Sequence, residues 1–181
     1  MPPKKTRVFL DSNVLLSGLF SDTGAPRLIL DILSIDLPVL KAVTGAYNLA
    51  DVEKNLQAKL PAAIPVFRSC LKLMNIEIVP LPTKRDLLPL AGMTAEKDLP
   101  VIASALQGAV DFLVTGDKKD LLRIKKNRLP FSIVSPVEFL DEVLPGLLKG
   151  LVPPGLPSRF ARRRVARPPP AMSEHVQVDI R

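Results

Sequence analysis

The sequence predicts an α/β domain in which a mostly parallel sheet is covered by helices on both faces. Three observations lead there. Short apolar runs alternate with longer helical stretches, the rhythm of strand, crossover helix and strand. The two clearest runs, Arg7-Val-Phe-Leu-Asp11 and Asp111-Phe-Leu-Val-Thr115, read as short buried strands. Hydrophobic residues make up 47% of the 181 positions, yet aromatics only 4% and Trp is absent, so Leu, Val, Ile and Ala must fill the core, as they do where helices pack on a parallel sheet.

Along the chain, the strand ending at Asp11 is followed by Ser12-Asn-Val-Leu-Leu-Ser-Gly18, a turn into helix, and Gly24-Ala-Pro26 starts a second helix through Leu33 with proline in its first turn. Leu37 to Val43 is strand-like. Thr44 to Leu60 reads as a helix ended by Pro61 with Glu53 in its middle, Ile64 to Met74 as another helix, and Glu77-Ile-Val-Pro-Leu81 as a strand. Thr94 and Asp98 are N-cap types and Pro100 fits only near a helix start, so Asp98 opens a helix that ends around Gln107-Gly108. After the strand at 111–115, Lys118 to Lys126 reads as helical and Phe131-Ser-Ile-Val134 as a strand. Ser135-Pro-Val-Glu138 then opens a last helix with a capping-box pattern.

The length allows one core, not two. The expected organisation is a basic arm at 1–6, one domain at 7–150 and a tail at 151–181. In the tail Pro153-Pro154, Pro157 and Pro168-Pro-Pro170 interrupt any helix, so most of it should be extended or disordered. The formal charge of +7 sits at the ends: Arg159, Arg162, Arg163, Arg164, Arg167 and Arg181 face only Glu174 and Asp179 in the tail, and Lys4 and Lys5 add to it. Such basic appendages suit polyanionic partners or serve solubility. Cys70 has no partner for a disulfide, the N-terminal apolar run is too short for a signal peptide, and no stretch is long enough to span a bilayer. A cytoplasmic protein is the expectation.

Parallel α/β sheets place ligands at the carboxyl ends of their strands. Asp11 and Asp117 each follow one of the two best strands, Asp98 opens the helix before the second, and Glu53 lies on a helix between strands. Carboxylates gathered in one crevice repel unless a cation neutralises them. An oxygen-rich, histidine-free set suits Mg²⁺ or Mn²⁺, and the sole histidine, His175, lies in the tail, which argues against zinc chemistry and a serine-type triad. Asn13 and Thr115 are polar neighbours suited to orienting a ligand carboxylate.

Arg7-Val-Phe-Leu-Asp-Ser-Asn-Val-Leu-Leu-Ser-Gly18, the Glu53 helix, Lys97-Asp-Leu-Pro-Val-Ile-Ala-Ser-Ala-Leu106 and Phe112-Leu-Val-Thr-Gly-Asp-Lys-Lys-Asp-Leu-Leu122 together resemble the PIN-domain family, particularly its small prokaryotic members, over residues 7–144. The resemblance implies a three-layer α/β/α sandwich that cleaves single-stranded RNA with Mg²⁺ or Mn²⁺. It also implies a toxin role in VapC-type toxin-antitoxin pairs, a cognate antitoxin and homodimers. It assigns Asp11, Glu53, Asp98 and Asp117 as acidic metal ligands, with Asp51 near Glu53, and Asp120 as an additional acid. Asn13 and Thr115 match the family's polar companions. Lys118, Lys119, Arg123, Lys125 and Lys126 follow Asp117 closely enough to contact RNA phosphates, or else to form a solvated helix face.

Two rival readings remain. A haloacid-dehalogenase-type phosphatase needs a second aspartate two residues beyond its nucleophile, where this chain has Asn13. A catalytically silent RNA- or partner-binding module would keep the acids without turnover.

Overall fold

The structure, a computed structural model, describes residues 5–117, 119–126, 129–149 and 151; the arm before Lys5, Lys118 and the tail beyond Leu151 lie outside them. Strands β1 (Thr6–Leu10), β2 (Leu40–Gly45), β3 (Glu77–Val79), β4 (Phe112–Val114) and β5 (Ser132–Val134) form one parallel sheet in the order β3-β2-β1-β4-β5. The chain lays β2 and β3 on one side of β1, then returns to lay β4 and β5 on the other. Its direction of winding therefore reverses between β1 and β4, and a crevice opens there above the carboxyl ends of the strands.

Both faces of the sheet are covered, so its strands carry apolar residues on both. Val8, Leu10, Val114 and Val134 point to one side. They pack against α1 (Ser12–Phe20), α2 (Ala25–Ser34), α3 (Ala46–Lys59) and α4 (Ile64–Leu73) through residues such as Leu15, Ile29, Val52 and Phe67. Phe9, Val43, Leu113 and Ile133 point to the other side. There Val101, Ile102 and Ala105 meet them from α6 (Leu99–Gln107), which follows a short α5 (Lys84–Leu87). The result is the α/β/α layering expected. At the opposite end of the sheet, Arg7 grips both carboxylate oxygens of Glu77 and donates from Nε to the Gly108 carbonyl oxygen, which fastens β1 to β3 and to the end of α6.

Gly18 sets how closely α1 and α2 approach. A Cβ there would stand 2.6 Å from Leu30 Cδ1 and 2.8 Å from the Pro26 carbonyl oxygen. We expect Gly18→Ala to cost about 1–3 kcal/mol, as overpacking a well-filled contact does, read as a lower thermal midpoint with unchanged chemistry at the distant crevice.

The structure departs from the sequence expectation at three elements. Thr44, expected to open the helix at 44–60, lies within β2, where its hydroxyl donates to the Leu10 carbonyl oxygen at 2.9 Å, and α3 begins only at Ala46. Of the helix expected at 118–126, residues 119–121 form a turn and Leu122–Lys126 a 3₁₀ segment. Asp117 Oδ1 accepts from the backbone N–H of Lys119 and Asp120, as an N-cap does, but the Leu122 N–H returns to the Asp117 carbonyl oxygen at 3.0 Å, five residues away, a turn too wide to continue as an α-helix. The last helix is interrupted: α7 (Pro136–Glu138) passes through a π turn at Phe139–Val143 into α8 (Leu144–Lys149), although the Ser135–Glu138 capping box forms as predicted. No helix among the described residues is long and apolar enough to cross a membrane.

Candidate metal centre

Asp11 leaves β1 at the crevice and is 4% exposed. As the N-cap of α1 it accepts from the Ser12 backbone N–H at 2.8 Å through Oδ1. The same oxygen accepts from Asn48 Nδ2 at 2.9 Å, while Oδ2 accepts from Asn13 Nδ2 at 2.7 Å and from the Thr115 hydroxyl at 2.7 Å. With the Ser12 hydroxyl also on Oδ1 at 3.4 Å, these donors fill the acceptor capacity of a carboxylate. Burial nevertheless pushes its pKa up, against the Thr115 and Ser12 donors, with the charges of Asp117 and Asp51 adding to the rise. Asp11 thus orders its surroundings: Asn13 Oδ1 takes the Gly116 backbone N–H at 2.8 Å, and Thr115 Oγ1 takes that of Asp117 at 3.0 Å. Both polar companions suggested by the sequence touch Asp11, and the Asn13 amide donates a hydrogen bond without being able to give up its proton, so it cannot replace the acid a dehalogenase-type phosphatase needs there.

Asp98, Asp117 and Asp120 come together beside this hub, each offering one carboxylate oxygen within 4.8 Å of the others. Asp98 ends a 3₁₀ turn and precedes α6, but its side chain caps nothing; among the described residues Oδ2 is buried without a hydrogen-bond partner, and it faces the Lys97 ammonium at 4.0 Å. Its pKa is pushed up to about 6, first by burial and then by Asp117, Asp120 and Asp11, with Lys97 opposing. Lys97 also pairs with Asp120 at 3.3 Å, but its side chain is 67% exposed, so the ammonium is free to leave.

Glu53 is not in this group. Its carboxylate receives Nε and Nη2 of Arg68 at 2.8 and 3.1 Å, and that pair holds its pKa down. Asp51 lines the cleft instead, with Asp11, Ser12, Asn13, Tyr47, Lys97, Asp98, Val101 and Asp117 around a cavity of about 250 Å³. Helical geometry supplies the reason: two positions along a helix rotate a side chain by about 200°, so Asp51 and Glu53 cannot face one crevice. Because α3 starts at Ala46, immediately after β2, Tyr47, Asn48 and Asp51 face the crevice; a helix begun at Thr44, as the sequence suggests, does not reveal that register. Tyr47 uses this face to donate to the Lys97 carbonyl oxygen at 2.9 Å, which ties α3 to the Asp98 turn. Its phenol pKa is raised by burial and by the charges of Asp51, Asp98 and Asp11.

The residues fit a hard divalent cation. All donors in the cluster are oxygens, one buried carboxylate oxygen lacks a hydrogen-bond partner among the described residues, and the charges of Asp117 and Asp120 raise the proton affinity of Asp98, as expected where a dication is the missing neutralising charge. Of the basic residues suggested for RNA, Lys119 and Arg123 are exposed next to this edge. Lys118 lies outside the described residues, as do the side chains of Lys125 and Lys126.

Two solved structures are similar in fold. VapBC-1 from nontypeable Haemophilus influenzae matches with a TM-score of 0.52 at 17% identity, over 73% of this chain and 99% of that one. VapBC2 from Rickettsia felis, solved bound to a DNA fragment from its promoter, matches with a TM-score of 0.50 at 15% identity, over 72% of this chain and 98% of that one. No curated protein matches the chain. The family model of the PIN domain matches residues 7–119. That span runs from the β1 strand through Asp11, Asp51, Asp98 and Asp117 and is more than half of the sequence: the chain belongs to the PIN-domain family.

Proposed function

We propose that this protein is a metal-dependent endoribonuclease that cleaves phosphodiester bonds in single-stranded RNA with Mg²⁺ or Mn²⁺. The observation that carries the proposal is the convergence of Asp98, Asp117 and Asp120 beside Asp11 at the switch point of the sheet, with a buried carboxylate oxygen unpartnered. Asp98, Asp117 and Asp120 would hold the cation with Asp11 and Asp51 alongside, in place of the Glu53 expected from sequence. Bound there, the cation would lower the pKa of a water and stabilise charge building on the phosphate. The protein's own part is to orient: Asn13 and Thr115 fix Asp11, and the Asp117 turn fixes Asp120. Lys119 and Arg123, with Lys118, Lys125 and Lys126, supply positive charge for neighbouring phosphates, a sequence-blind contribution that weakens with salt.

The likeness to VapBC structures supports a further reading as the toxin of a toxin-antitoxin pair, working in the cytoplasm, as a homodimer, and held by a cognate antitoxin. Lys97 favours one alternative: an ammonium already set against Asp98 and Asp120 is what a catalytically silent RNA- or partner-binding module would retain. Labelled single-stranded RNA separates them. Cleavage should require Mn²⁺ or Mg²⁺, stop with chelator and fall at least about 100-fold in Asp117→Asn, since even outlying partners of metal ligands cost 10–100-fold. RNA binding that survives chelation and Asp117→Asn, with no cleavage by wild type, would instead establish the silent module.

A further inference from the structure

Asn48 belongs to none of the motifs that mark the crevice, yet it is fully buried and reaches its centre. Its Nδ2 donates to Asp11 Oδ1, while its own Oδ1 has no hydrogen-bond partner. Gly45, immediately before α3, leaves the room: a Cβ there would lie 2.9 Å from Asn48 Oδ1 and 2.8 Å from Ser104 Oγ. A buried amide with one half unsatisfied works against folding, and an aliphatic side chain at this site would carry no such penalty. Among the described residues, the one side-chain hydrogen bond it makes is with Asp11.

We infer that Asn48 is a positioning residue of the metal centre, a role that rests on the metal-dependent reading above. Thr115 and Asn13 hold Asp11 Oδ2 from the β4 side, and Asn48 holds Oδ1 from α3, so the carboxylate is gripped at both oxygens and cannot turn about its Cβ–Cγ bond. Asn48 also stands three positions before Asp51, on the same helix face. Its bond to Asp11 therefore fixes the distance between the helix that delivers Asp51 and the strand that delivers Asp11. Acting through Asp11, it need never touch RNA or cation.

The test uses the full-length protein with Asn48→Leu and Asn48→Ser, titrated with Mn²⁺ alone by electron paramagnetic resonance, with thermal midpoints recorded in chelator. Positioning predicts that Mn²⁺ affinity falls about 10–100-fold in both variants, while the Leu variant in chelator melts near the wild-type temperature, because relief of the orphaned amide oxygen offsets the bond lost at Asp11. Where the Leu variant fails to fold, the smaller Ser variant decides by the same readout. Wild-type Mn²⁺ affinity in the folded variants would overturn the inference, as would a wild type that binds no Mn²⁺. A wild type that binds Mn²⁺ but cleaves no RNA would refute the ribonuclease reading alone and leave the role of Asn48 to be decided by the affinities.

Discussion

Asp98→Asn should make the metal-free protein more stable and the enzyme inactive. The carboxylate gives up hydration on entering the crevice, gains no hydrogen bond at Oδ2 and meets Asp117, Asp120 and Asp11; its pKa accordingly stands at about 6 against an ordinary 3.8. In the metal-free state the native protein thus keeps a proton that the unfolded chain has already released. Stability linked to this group is intact below 3.8, declines as pH rises towards about 6, and stays reduced above it. Asparagine keeps the shape and removes the charge. Because Lys97 and solvent offset part of the penalty, the expected gain at neutral pH in chelator is about 1–2 kcal/mol, or roughly 3–6 °C in the thermal midpoint.

Divalent metal should reverse that order. Mn²⁺ is expected to raise the wild-type midpoint and to do little for Asp98→Asn, because binding to the native state stabilises it in proportion to affinity. Cleavage by the variant should fall at least about 100-fold. Wild-type affinity for Mn²⁺ should itself weaken below pH about 6, where the proton on Asp98 competes with the cation. Calorimetry in chelator and in Mn²⁺ across this range decides the matter: a variant that melts below wild type in chelator would show that Asp98 carries a structural contact rather than an unneutralised charge.

The parts of this site legible from sequence are those fixed by strand exits. Asp11 and Asp117 follow β1 and β4 directly, so the direction of the strand determines where they lie, and the polar residues Asn13 and Thr115 are placed by the same backbone. Asp98 is legible through Pro100, which marks a helix start whatever its tertiary partners. Residues delivered from the interior of a helix are different. Their orientation depends on helical register, and Thr44 looks as suitable for opening α3 as for lying within β2 until its hydroxyl is seen on the Leu10 carbonyl oxygen. The same ambiguity conceals Asn48, whose polar character carries no signal without knowledge of which face is buried. Lys118 to Lys126 misleads for another reason: its residues are good helix formers and Asp117 caps the N–H groups of Lys119 and Asp120, yet Leu122 bonds back to the Asp117 carbonyl oxygen across five residues and the turn does not propagate as an α-helix.

Register also sets the second large effect. Asp51→Asn should reduce metal-dependent cleavage by about 10–100-fold, whereas Glu53→Gln should leave it at the wild-type level. Asp51 lines the cleft with Asp11, Asp98 and Asp117, and its charge is felt by both Asp11 and Tyr47. Glu53 is turned to the surface, where Arg68 binds both its oxygens; losing that exposed pair removes a contact that salt already screens. Freeing Glu53 by Arg68→Ala should not rescue Asp51→Asn, because the helix, not the arginine, points Glu53 away. Rates for the three single variants and the Asp51→Asn/Arg68→Ala double variant, measured at saturating Mn²⁺, test the geometry directly. Loss of cleavage in Glu53→Gln with retention in Asp51→Asn would mean that α3 is rotated by about half a turn from the register described, and with it the contacts of Tyr47 and Asn48.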